Sequence, residues 1–306
     1  MKYSIGVDIG GSHISCALID LERIEIIRES LTEIHVDNKG EARGIIETWS
    51  AAIRKSMQRI DPGQIEGIGF AMPGPFDYVN GISLIRGVDK YEKLFGLNVG
   101  EEISKSLGLR SGQSVRFIND ASAFAIGEAR AGKAAGAASS MIITIGTGIG
   151  SAFIRNGVPV VSGESVPEKG WVYHIKHRDS IADDYFSTRW FLRRYREVTG
   201  RNAEGVKSIA DEAVSNEHIM EIFNEFGASL GGFLAPILNR FGAEVLVMGG
   251  NISRAMNLFG PSLRRELENN DCHATPHLSL LGENAALIGS ACLLDPEFWG
   301  AVKASL

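Results

Sequence analysis

One unusual unit occurs twice in this 306-residue chain: a strand-like alternation, a glycine turn, and a second alternation. In the first copy Ile5, Val7 and Ile9 alternate with small or polar residues. Gly10-Gly11-Ser12 follows, and the alternation resumes at Ile14, Cys16 and Leu18. The second copy has Met141-Ile142-Ile143-Thr144-Ile145, then Gly146-Thr147-Gly148-Ile149-Gly150, then Ser151-Ala152-Phe153-Ile154. Two such copies predict two similar halves, each supplying one glycine turn. The length agrees, since roughly 100–200 residues per domain is usual. Further strand-like runs lie at 67–71, 115–118 and 244–248. Between them Ile45, Ile46, Trp49, Ile53 and Met57 recur at helical spacing, as do Ile219, Ile222, Phe226, Leu230, Phe233 and Leu238. Two small-residue helices are expected at about 121–131 and 285–294. The class is therefore α/β. The domain boundary is placed near Asn119, giving domains of 1–119 and 120–289.

Composition removes several functions. Thirty-one basic against 37 acidic residues leave a formal charge of −6, which gives no electrostatic reason to bind nucleic acid or an anionic membrane. Cys16, Cys272 and Cys292 have no paired spacing, which argues for a reducing compartment and against a cysteine-based zinc site. No apolar run approaches the ~20 residues of a membrane span, and the chain enters its first strand pattern by Tyr3 without a leader-like segment. A cytoplasmic globular protein is expected.

Four places carry candidate chemistry. At Asp8-Ile9-Gly10-Gly11-Ser12-His13, glycines let the backbone approach a phosphate, and Asp8 at the strand end is suited to magnesium through water; an ordinary two-glycine hairpin reads the same way. Residues 146–150 form neither a Walker loop nor a Rossmann fingerprint, because the spacing differs and a strand pattern follows. Paired with the first turn, they fit a triphosphate. Val115-Arg116-Phe117-Ile118-Asn119-Asp120 delivers Asn-Asp to the start of a helix, where either residue serves as a cap or Asp120 serves as general base. Val245-Leu246-Val247-Met248-Gly249-Gly250 ends an apolar strand in two glycines, beside which a nucleoside could lie flat.

These four sites, in this order, resemble the ROK family of sugar kinases and sugar-responsive repressors, and the resemblance covers nearly the whole chain. Residues 8–13 are similar to its first phosphate motif, D-x-G-G-[ST]-K, with His13 in place of lysine. Met72-Pro73-Gly74-Pro75-Phe76-Asp77 is similar to its P-G-x-V-D loop, which borders the sugar at Gly74. Asn119-Asp120-Ala121-Ser122-Ala123, running on to Gly127-Glu128, is similar to N-D-A-N-A…G-E, and residues 146–150 to the second phosphate motif. The sugar half departs. The family's E-x-G-H is Glu168-Lys169-Gly170-Trp171 here, so tryptophan replaces histidine and offers an apolar face for a pyranose or N-acetyl group; a core tryptophan is the alternative. The zinc motif C-x-C-G-x-x-G-C is absent between Trp171 and Tyr185, where His174 and His177 are expected on the surface. Asp183 stands for the glutamate that follows it.

The resemblance implies a two-domain actin-like ATPase (ribonuclease H-like) fold with its active site in an interdomain cleft, and a last helix at about 290–306 that returns to the first domain. It implies transfer of phosphate from Mg·ATP to a sugar, most often the 6-hydroxyl of a hexose or N-acylhexosamine. Asp120 would be the base. Gly74, Asn119, Asp120, Glu168, Trp171 and Asp183 would meet the sugar. Asp8, Gly10, Gly11, Ser12, His13, Thr147, Gly148, Gly249 and Gly250 would meet Mg·ATP, with Asp8 nearest the metal. No structural zinc is expected, and a homodimer is. The alternative is a non-catalytic sugar-binding regulator or a degenerate kinase of the same fold. A repressor's DNA-binding segment ahead of the first strand is not expected, because that strand begins by Tyr3.

Overall fold

The structure is a computed structural model that describes every residue except Met1, Arg59 and Ser305. It divides into two compact units, Met1–Ala135 with Glu283–Leu306, and Gly136–Gly282.

The first unit begins with strands β1 (Tyr3–Ile9), β2 (His13–Asp20), β3 (Glu25–Ile26) and β4 (Thr32–His35), then helix α1 (Ala42–Met57) and β5 (Ile65–Met72). A small ribbon follows, β6 (Phe76–Asp77) with β7 (Ile82–Ser83). Then come α2 (Val99–Leu107), β8 (Ser114–Asn119) and α3 (Asp120–Ala131). The sheet order is β3-β2-β1-β5-β8, with β4 also on β2. β1 and β2 are antiparallel, whereas β5 and β8 join in parallel. Ile5, Val7, Ile14, Trp49, Ile53, Phe70 and Phe117 form its core.

The second unit repeats that plan. Its elements are β9 (Ser139–Ile145), β10 (Ile149–Arg155), β11 (Val158–Pro159), the ribbon β12 (Lys176–His177) and β13 (Ser180–Ile181), then α4 (Ala182–Tyr185), α5 (Thr188–Thr199), α6 (Val206–Ala213) and α7 (Glu217–Phe241). β14 (Val245–Gly249), α8 (Met256–Asn269) and β15 (Thr275–Leu278) complete it. In the order β11-β10-β9-β14-β15, the β9–β10 pair is antiparallel and β14 and β15 add in parallel, as β1-β2-β5-β8 do. Asn216 caps α7 through the His218 N–H, and Gly242 ends it at φ 72°, a left-handed backbone that only glycine adopts cheaply. The aromatics of residues 185–195 belong to the unit's own core: Phe186, Trp190, Phe191 and Tyr195 are buried there.

The chain ends with α9 (Asn284–Cys292) and α10 (Pro296–Lys303), both in the first unit. Residues 120–135 group there too, rather than with the second half as the boundary at Asn119 implied, because α3 packs along α9. The contact is backbone on backbone. A Cβ on Gly127 would stand 2.0 Å from the Ala285 carbonyl oxygen, and one on Gly289 would stand 1.8 Å from that of Ala123. This is what the small residues of both helices permit.

Candidate active site

In the first unit three carboxylates converge. Asp8 is the penultimate residue of β1, paired with Ser15 on one side and Ala71 on the other. Burial in the sheet, reinforced by the negative charges of Asp120 and Glu283, raises its pKa from 3.8 to about 7. Asp120 opens α3 directly after β8. Its side chain reaches solvent, yet protein crowded around the carboxyl withholds water and pushes its pKa up. The Ala121 N–H, the charge of Lys90 and Asn119 pull the other way. A carboxylate whose pKa is raised is a stronger base than an ordinary aspartate.

The helix cap itself is Asn119. Its Oδ1 accepts from the N–H groups of Ala121 (3.1 Å) and Ser122 (3.4 Å), an arrangement worth about 1 kcal/mol. Its amide donates to the Tyr78 hydroxyl at 3.4 Å, and that hydroxyl donates to the Met72 carbonyl at 3.2 Å. Gly74 belongs to the same corner, where an added Cβ would come 3.2 Å from the Tyr78 oxygen. Asn119, Tyr78 and Gly74 are therefore brought together.

The turn joining β1 to β2 is closed by a hydrogen bond from the Gly10 N–H to the His13 carbonyl at 2.9 Å. Two residues unremarkable in sequence hold it. The Tyr91 hydroxyl donates to the Gly10 carbonyl at 2.8 Å, and the Asn38 amide donates to that of Gly11. Ser12 Oγ meets His13 Nδ1 at 2.9 Å. Neither Gly10 nor Gly11 has positive φ, so their service is the missing Cβ: the space where Gly11 would carry one holds nothing within 4 Å.

In the second unit the turn joining β9 to β10 closes with the Gly146 N–H donating to the Gly148 carbonyl at 2.9 Å. The Cβ direction of Gly146 is open, whereas a Cβ on Gly148 would lie 2.1 Å from Asp183 Oδ1. Asp183 Oδ1 accepts the Ile149 N–H at 2.9 Å, and its Oδ2 accepts from Arg189 at 2.8 Å. Gly250 packs its backbone beneath the same turn: φ is 84°, and a Cβ would meet the Ile145 carbonyl oxygen at 2.4 Å. Beyond Gly249 and Gly250 opens a pocket of about 590 Å³ bordered by Asn251, Ile252, Thr188, Val206 and Lys207. Glu168 is exposed at the start of a short turn of helix, beside Lys169 at φ 56°. That turn is fixed to β10 because Ser151 Oγ donates to the Gly170 carbonyl at 2.7 Å and accepts the Val172 N–H at 3.0 Å.

Trp171 is half-buried, with the Lys169 ammonium 4.9 Å from its ring centre and the Tyr173 ring at 5.9 Å. It is not a core tryptophan. His174 is exposed, but His177 is not the surface residue expected from sequence. It bonds the Ser229 hydroxyl at 2.9 Å and packs on Tyr185, Phe186 and Phe233. Burial, with Arg178 nearby, lowers its pKa.

The donor set suits magnesium that arrives with phosphates. Asp8 supplies the hard oxygen this ion prefers, and the crowding of like charge at Asp8 is what a cation would relieve. Among the described residues no group of three or more His, Cys, Asp or Glu side chains could hold a metal alone. The open Cβ directions at Gly11 and Gly146 leave room for ligand atoms beside each turn.

The doubled sheet, each half with its glycine turn between the first two strands, is the actin-like ATPase fold. The sequence matches the ROK family over residues 4–297, and the chain belongs to that family. It is 26% identical to a glucokinase of Thermotoga maritima, an alignment covering 97% of this chain and 98% of the relative. It is 24% identical to an N-acetyl-D-glucosamine kinase of Haemophilus influenzae, covering 81% and 84%. A ROK family glucokinase from Streptomyces griseus, solved in complex with glucose and AMPPNP, superposes with a TM-score of 0.72 at 25% identity, covering 95% of this chain and 98% of that one.

Proposed function

We propose that this protein is a sugar kinase that transfers the γ-phosphoryl group of ATP to a hydroxyl of a hexose or N-acylhexosamine, with the 6-hydroxyl as acceptor. Asp120 takes the hydroxyl proton as the sugar oxygen bonds to phosphorus and the bond to the departing ADP oxygen breaks. The observation that carries this reading is Asp120 itself, placed at the head of α3 by a neighbouring cap residue and raised in pKa by its surroundings. Such a base contributes roughly 10²–10⁴ in rate, while orientation and charge neutralisation supply most of the rest.

Asn119, held by Tyr78, orients sugar hydroxyls together with Gly74 and Glu168, and Trp171 offers the apolar face. The turn at Gly10, Gly11, Ser12 and His13 and the turn at Thr147 and Gly148 receive phosphate oxygens. Asp8 would hold magnesium through water. Bound with ATP, the ion would neutralise charge on the phosphates. The 590 Å³ pocket past Gly249 and Gly250 is large enough for a nucleoside. The protein works in the cytoplasm as a homodimer, without nucleic acid as a partner, and light scattering checks the dimer.

A coupled ADP-release assay with Mg·ATP, run over a panel of hexoses and N-acetylhexosamines, tests the reading. Turnover on one sugar or a narrow set is expected. No turnover on any of them, with ATP binding intact, would overturn it in favour of a regulator or degenerate kinase.

A further inference from the structure

Two residues that the sequence motifs do not mark, Thr188 and Arg189, meet Asp183 at the turn between β9 and β10. Thr188 donates to the Gly146 carbonyl through both its N–H (2.8 Å) and its hydroxyl (2.9 Å). Arg189 spans the next peptide: Nη1 donates to the Thr147 carbonyl at 3.0 Å, while Nη2 donates to Asp183 Oδ2 at 2.8 Å. Asp183 closes the loop by accepting the Ile149 N–H on its other oxygen, and its own N–H is fixed to the Tyr173 carbonyl at 3.0 Å.

The planarity of the peptide bond gives this arrangement a consequence. In a trans peptide the carbonyl and the following N–H point in opposite directions. The Gly146 and Thr147 carbonyls are both drawn toward the start of α5, so the N–H groups of Thr147 and Gly148 are both turned away from it. Two successive amides aimed alike form a concavity for an oxyanion. Holding them there before the ligand arrives removes an ordering cost from binding. Each oxygen of Asp183 already accepts one hydrogen bond that holds the turn, so a sugar hydroxyl would have to share the carboxylate with the brace.

We infer that Thr188, Arg189 and Asp183 form a brace that presets the Thr147 and Gly148 amides for a phosphate oxygen of the nucleotide. Arg189 is thus a positioning residue for the phosphate donor, and Asp183 belongs with the nucleotide rather than the sugar. The inference rests on the kinase reading and deepens it, but opposes the sugar-ligand role implied for Asp183 by family resemblance. Arginine suits the task because its planar fork reaches two acceptors at once, which a lysine ammonium does not reproduce. Gly148 is explained as well, since only glycine leaves room for the Asp183 oxygen.

The test compares Arg189→Ala, Arg189→Lys and Asp183→Asn with the unaltered protein, measuring KM for ATP and for the accepted sugar separately. Arg189→Ala should raise KM for ATP by roughly tenfold or more, the scale of a lost charged hydrogen bond, with KM for the sugar changed less than about twofold on the same argument. Arg189→Lys should recover part of the loss. Asp183→Asn should also act on ATP and spare the sugar. A rise in sugar KM with ATP unaffected, in either Arg189→Ala or Asp183→Asn, would overturn the brace. If the unaltered protein phosphorylates no sugar, the kinase reading fails separately, and calorimetric binding of AMPPNP to the same variants decides the brace: weakened binding supports it, unchanged binding refutes it. Thermal melts identify a variant that fails to fold, in which case Arg189→Lys carries the comparison.

Discussion

Replacing Asp8 with asparagine should make the protein more stable at pH 8 while removing its activity. An Asp8 carboxyl with its ordinary value of 3.8 in the unfolded chain rises to about 7 in the folded protein. Between those values the folded state holds a proton that the unfolded state has released. The wild-type protein therefore loses stability as pH climbs from about 4 to about 7, and the loss is complete above that. Roughly three pH units at about 1.4 kcal/mol each set an upper bound near 4 kcal/mol. Asparagine cancels the repulsion from Asp120 and Glu283, but its amide still carries a burial cost of about 1–3 kcal/mol. A net gain of at most about 1–3 kcal/mol at pH 8 remains, at about 2–4 °C in Tm for each kcal/mol in a unit of this size. The assay is thermal unfolding of both proteins at pH 5 and pH 8 without nucleotide or magnesium, alongside phosphoryl transfer at pH 8. The Asp8→Asn variant should melt higher at pH 8, and that advantage should shrink sharply at pH 5, where Asp8 of the wild-type protein is protonated. An advantage equal at both pH values, or a wild-type protein that gains stability between pH 5 and 7 through this residue, would refute the argument that like charge and burial are held at Asp8 for a cation.

The same values predict that kcat/KM falls on the acid side of neutrality, because Asp8 takes up a proton as pH drops through about 7 and Asp120, also raised, protonates below its own pKa; a pH–rate profile flat from 7 down to 5 would contradict this. Gly250→Ala combines a left-handed backbone with a Cβ 2.4 Å from the Ile145 carbonyl oxygen, so a loss of about 2 kcal/mol or more is expected in chemical denaturation, and an unchanged midpoint would mean the turn can yield. Trp171→Ala should raise the sugar KM by about two- to tenfold, the worth of an aromatic face, with ATP unaffected; equal changes in both would place Trp171 in a structural role.

The sequence was legible where its pattern was local and repeated. The two strand–turn–strand units announced two similar sheets, and the register confirms the likeness: β1 pairs antiparallel with β2 and parallel with β5, as β9 does with β10 and β14. Asn119-Asp120 at the junction of β8 and α3 was legible for the same reason. Gly10, Gly11, Gly146 and Gly148 are absent from the positive-φ glycines, so what they contribute is the missing Cβ. What could not be read were contacts across long sequence separations. Tyr91 reaches Gly10 across 81 residues, and Arg189 reaches Thr147 across 42. Arg189 stands among several arginines of α5, and only the three-dimensional path of Asp183 singles it out. His177 was misplaced on the surface because its partners, Ser229 and Phe233 on α7, lie some fifty residues away.

The central claim is that Asp120 is the base of a phosphoryl transfer, and Asp120→Asn on the accepted sugar tests it most directly. The variant keeps the shape of the residue and the Asn119 cap of α3, so sugar and ATP binding should persist while kcat falls by roughly 10²–10⁴. A variant that binds both substrates and turns over within about tenfold of the wild-type rate, well short of what loss of a general base costs, would show that the proton leaves by another route.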